Sequence, residues 1–162
     1  MPTEAHQHKA NYRLSVLAPS DGLMHPLQAS ASGVMRSLAG FGFCLLPEKQ
    51  QLVSPCSGHA SLHFLPHPCI RMQHTSGMQC RMDMPLHWLD RHGQGLDWQW
   101  HQGPLKAGQA VLDLDPAWLK AKAMLSVVFF PHPAIQPEPL PNTKAVLSAE
   151  PCFFINVTGK HP

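Results

Sequence analysis

The chain has 162 residues, enough for one domain with a substantial core and too few for two comfortable ones. Hydrophobic residues make up 44% and predict a folded globule; charged residues are only 14%, against roughly 25% in ordinary chains, and 17 prolines and 12 histidines fill part of the gap. Net charge is +2 with neutral histidines and the lysines and arginines do not cluster, which argues against a nucleic-acid partner.

Taken in chain order, residues 1–12 lack apolar periodicity and read as a loose tail, and 13–158 read as one domain. Short β-like runs follow at 14–17, 41–46, 51–53, 60–65, 69–73, 78–84, 110–114 and 153–157, separated by turn residues. That rhythm predicts an all-β sandwich or barrel. One short helix is expected over 116–125, with Asp115 as its cap and Pro116 at the first helical position. The segment 131–141 carries five prolines and reads as an irregular crossing. Leu17-Ala18-Pro19-Ser20-Asp21-Gly22 recurs as Val53-Ser54-Pro55-Cys56-Ser57-Gly58, each ending a strand on Pro and supplying Gly for a turn. The repeat suggests two halves meeting in one core.

The longest apolar run, 127–130, is far too short to span a bilayer, and no signal-peptide pattern opens the chain. Cys44, Cys56, Cys69, Cys80 and Cys152 are odd in number with no C-x-x-C pair, which fits buried thiols in a reducing compartment. A cytoplasmic protein with no cofactor is expected. His59-x-x-x-His63 resembles part of a lysostaphin-type zinc peptidase site. Its rings would share one strand face about 13 Å apart, at roughly 3.3 Å per residue, too far for one zinc. Trp88, Trp98, Trp100 and Trp118 suit core and lid better than a ligand platform.

Ordered anchors run through most of the chain: Ala18-Pro19 and Gly22, Gly40-Phe41-Gly42, Val53-Ser54-Pro55 with Gly58, His67, and Ser76-Gly77. They continue through Gly93-Gln94-Gly95, Gly103, Lys106-Ala107-Gly108-Gln109, Asp113-Leu114-Asp115-Pro116, Lys120-Ala121-Lys122 and Glu150-Pro151. In order and spacing this resembles the glucose-class enzyme IIA of the bacterial phosphoenolpyruvate:sugar phosphotransferase system. The resemblance implies that family's β-sandwich or barrel, with a duplicated hybrid motif and one or two short helices. It also implies a phosphocarrier between HPr and the IIB domain of a sugar permease, with regulatory protein partners and no insertion into the membrane.

The family's chemistry needs two facing histidines. One accepts phosphate on a neutral ring nitrogen; the other orients it. His67, in Pro66-His67-Pro68, matches the orienting histidine. The acceptor is expected six residues after the Ser-Gly turn, and counting six from Gly77 reaches Asp83. Strand alternation would put Cys80, Met82 and Met84 in the core and Arg81 and Asp83 outside. A rival register makes His87 the acceptor, at the cost of Pro85 inside a central strand. With Asp83 in place, ordinary relay is altered or lost, because an aspartyl phosphate usually needs Mg²⁺ and an acidic cluster. Asp83 would instead bond His67 and raise its pKa, as a charge mimic or part of a metal site.

Overall fold

Prolines and glycines between short apolar runs leave segments too brief for helices but long enough for strands. The computed structural model describes residues 10–27, 41–64, 68–84, 95–120, 122–140 and 143–159. Within them lie β1 (Ala10–Leu17), β2 (Gly22–Pro26), β3 (Phe41–Pro47), β4 (Gln51–Val53), β5 (Gly58–His63), β6 (Cys69–Gln73) and β7 (Gln79–Asp83). Then come β8 (Leu96–Trp98), β9 (Gln102–Leu105), β10 (Ala110–Leu114), helix α1 (Pro116–Lys120), β11 (Leu125–Phe129), β12 (Ile135–Pro137), β13 (Lys144–Val146) and β14 (Pro151–Gly159). β1 begins at Ala10, inside the stretch read as tail, and pairs with β14 from Ala10↔Gly159 onward.

The strands form one eight-stranded sheet, β13-β2-β3-β11-β7-β6-β5-β9, and two three-stranded sheets, β1-β14-β12 and β4-β10-β8. The pairings are antiparallel. The all-β expectation holds. Among the described residues the strands form neither a closed barrel nor a duplicated hybrid motif: the large sheet has two ends, β13 and β9, and the sheets are unequal. One face of the large sheet supplies Phe43, Leu45, Ile70, Met72, Cys80, Met82, Val127 and Phe129 to the main core, where Phe41 stacks on Phe129 at 5.3 Å. Burying a ring such as Phe129 contributes about 2–3 kcal/mol.

Two sequence expectations are corrected here. The helix stops at Lys120 rather than 125, and Leu125 opens β11. Lys122 has left-handed φ, 49°, which ends helical continuation. β11 lies between β3 and β7 and is buried at all five positions, so it shows no polar–apolar alternation to read. The cap itself is as expected: Asp115 Oδ1 accepts from Ala117 N at 3.0 Å. The proline-rich stretch likewise contains a strand, β12, paired to β14.

The repeated Pro turns meet. Leu17 N donates to Pro55 O at 2.8 Å, and Val53 N donates to Pro19 O at 2.9 Å. Ala18 N donates to Glu150 O while Ser54 N donates to Gln109 O, and Ala149 N to Ala18 O is matched by Gly108 N to Ser54 O. Matching positions therefore sit in the same backbone frame. Gly108 takes φ +84° and its counterpart Ala149 takes +61°, a conformation that costs a residue with a Cβ about 1–2 kcal/mol. Ala149→Gly is expected to stabilise by about 0.5–1 kcal/mol, net of the added unfolded-state entropy. Gly108→Ala is expected to destabilise by about 1 kcal/mol through backbone strain, since its Cβ would meet only ordinary contacts at 3.6 and 3.9 Å. Thermal denaturation of the two variants should move the midpoint in opposite directions. A shared direction would remove the correspondence.

Candidate functional site

The face of the large sheet turned from the main core carries a mixed set of polar and apolar side chains, several of them buried, and residues directly opposite across a ladder share that face. Across the sheet, His63 pairs with Cys69, Cys69 with Asp83, Asp83 with Ser126, Ser126 with Cys44, and Cys44 with His25. One pair further along run Ser61, Arg71, Arg81, Val128 and Gly42. β7 pairs without a register shift on both sides, from Cys80 to Asp83 against β11 and from Gln79 to Asp83 against β6.

Cys80, Met82 and Met84 enter the core, as alternation predicts. Arg81 and Asp83 take the opposite face but are not open to water: their side chains are 16% and 6% exposed. Arg81 Nη2 donates to Asp83 Oδ1 at 2.7 Å and to Cys69 Sγ at 3.5 Å. A charge-assisted bond between residues two apart on one strand requires both on one face, which the period of two supplies. Arg81 Nε is buried and, among the described residues, without a hydrogen-bond partner.

Around this pair, burial pushes the Cys69 thiol up, with the Arg81 charge pulling back against it. The thiol is therefore a protonated neighbour at neutral pH. Cys44 Sγ lies 3.7 Å from Ser126 Oγ, and His63 Nε2 lies 2.8 Å from Ser61 Oγ. The five cysteines are buried thiols outside any disulfide, and burial raises Cys152 to about 12. His59 is exposed and His63 half-buried on one face of β5. Among the described residues, no group of three His, Cys, Asp or Glu stands close enough to hold a metal ion.

Of the site residues expected from sequence, Asp83 is the one described; His67 and His87 lie outside the described residues, as does Trp88. Trp100 and Trp118 are buried, and Trp98 packs against the core with Phe64 edge-on at 6.1 Å. Sequence reasoning missed the role of Arg81, taken merely as outward-facing. The signal was present in Arg81-Met82-Asp83: opposite charges two apart on a strand whose middle residue is apolar.

No helix among the described residues is long and apolar enough to cross a membrane. Comparison with the curated proteins gives no significant match. Among solved structures the fold is similar to glucose permease IIA from Mycoplasma capricolum, at 21% identity and a TM-score of 0.76, covering 88% of this chain and 96% of that one. The family model described as phosphoenolpyruvate-dependent sugar phosphotransferase system, EIIA 1, matches residues 14–131. That match covers well over half of the chain, and the chain belongs to the EIIA 1 family of the phosphoenolpyruvate-dependent sugar phosphotransferase system.

Proposed function

We propose that this chain is a cytoplasmic, glucose-class component of the sugar phosphotransferase system in which phosphoryl relay is altered or lost. In this reading the outer sheet face docks an HPr-like carrier and the IIB domain of a permease, with His67 facing the acceptor position and Asp83 occupying it. The observation that carries the reading is the pairing of Asp83 with Cys69 on one side and Ser126 on the other, at the end of a strand with no bulge after the Gly77 turn.

Chemistry supports loss over substitution. A carboxylate whose Oδ1 accepts from a guanidinium at 2.7 Å has part of its electron density committed, and burial restricts approach of a phosphoryl donor. An aspartyl phosphate would also need a cation held by neighbouring acids. The fixed Arg81–Asp83 pair favours a second reading of the same face, a regulatory adaptor that docks system components without being phosphorylated.

The test is incubation of the full chain with phosphoenolpyruvate, enzyme I and HPr, followed by intact-mass measurement of acid-labile phosphate. The expected result is no phosphohistidine, with HPr binding still measurable by calorimetry. Label that disappears in His87→Ala would make His87 the acceptor and overturn the reading. Label lost only in His67→Ala would leave an altered relay with the acceptor moved.

A further inference from the structure

Beside the Arg81–Asp83 pair, the outer face sinks into a depression of about 390 Å³ lined by His59, Ser61, Arg71, Gln73, Gln79 and Arg81, among others. Its chemistry is one-sided. The described residues lining it include two guanidiniums and no carboxylate. Arg71 and Arg81 stand directly opposite each other on β6 and β7, and Gln73 and Gln79 are the next opposed pair on that face. Like charges across a ladder repel, and an anion between them would relieve that repulsion beyond what Asp83 already offers Arg81. Asp83 Oδ1 accepts from Arg81 Nη2, while Arg81 Nε stays buried and unpartnered among the described residues.

We propose that this depression binds the phosphate group of a small phosphorylated molecule. Arg71 holds the phosphate through its planar N–H fork, which matches phosphate oxygens two at a time, and Arg81 adds the positive charge of a guanidinium whose Nη2 is already engaged by Asp83. Gln73 and Gln79 offer amide donors at the rim. Arg71, being exposed, brings its charge at little desolvation cost, and Arg81, being held by Asp83, is already oriented. The ligand is recognised as a phosphate; whether it is free or esterified follows from the arms of the test. The inference uses the sheet face but not the relay, and its readout needs no phosphoenolpyruvate, enzyme I or HPr. Failure here therefore leaves the relay reading untouched.

The experiment titrates the full chain with inorganic phosphate and, separately, with glucose 6-phosphate, by calorimetry at constant ionic strength. Saturable binding of at least one is expected, weakened about tenfold or more in Arg71→Gln, a loss of one guanidinium–phosphate contact. Lys49→Gln removes an exposed charge elsewhere on the surface and should leave affinity unchanged. Binding of glucose 6-phosphate alone supports an esterified ligand, and equal binding of both supports the bare phosphate. No saturation by either overturns the proposal. So does undiminished affinity in Arg71→Gln, or an equal loss in Lys49→Gln, which would mark diffuse charge attraction.

Discussion

Arg81→Met is expected to destabilise the domain by about 3–5 kcal/mol, because it removes one partner from a largely buried ion pair and keeps the other. Arg81 and Asp83 expose 16% and 6% of their side chains, so water compensates the carboxylate poorly once the guanidinium is lost. Methionine keeps much of the unbranched stem, which separates the loss of charge from the loss of packing. Replacing both partners, as in Arg81→Met with Asp83→Leu, is expected to recover most of the loss, since a buried pair exchanged for apolar residues is close to neutral. Urea denaturation followed by tryptophan fluorescence measures each variant. A single-variant loss below about 1 kcal/mol, the range of exposed pairs, would mean that the pair is solvated and Asp83 free to react.

Gly42→Ala is expected to cost about 4 kcal/mol or more, within the tail reserved for severe core damage. A Cβ at Gly42 would lie 2.1 Å from Val127 O and 2.9 Å from Val128 Cα. Both atoms are backbone of β11, the strand to which β3 is paired and which β7 flanks on its other side. A side chain could rotate away; a ladder cannot. Relief therefore requires β3 to move off β11, which would break the pairing that holds Cys44 beside Ser126 and leave β11 supported by β7 alone. Against a total stability of about 5–15 kcal/mol, the variant should show a loss of cooperative melting near physiological temperature. Wild-type-like melting would show that β3 and β11 are not held at this register.

Both predictions concern parts of the chain that differ in how openly the sequence displays them. β7 was legible because Cys80, Met82 and Met84 alternate with polar residues and a Ser-Gly turn precedes them. The Pro turns at Pro19 and Pro55 were legible as a repeat, and their reciprocal hydrogen bonds follow from it. β11 was hidden for a physical reason: Leu125–Phe129 is buried at every position and has no exposed face, and α1 just before it invited a longer helix. The short strands β8, β12 and β13 are three residues each, too brief for a periodic signal.

The site divides similarly. That Asp83 stands six residues beyond Gly77 can be counted from the sequence, and its face follows from the strand period. Its burial cannot be counted: an aspartate on the outer face of a sheet is ordinarily wet, and here Arg81 accompanies it in. Nor does the sequence show that Arg71 stands opposite Arg81, since that depends on the length of the turn between β6 and β7. Register supplied what composition lacked.

The side chain at position 83 is the crux, and restoring an imidazole there tests it most directly. Wild type and Asp83→His would be treated with phosphoenolpyruvate, enzyme I and HPr and their intact masses compared. The expected outcome is acid-labile phosphate on Asp83→His and none on wild type; a wild-type chain that takes up phosphate as readily as the variant would contradict it.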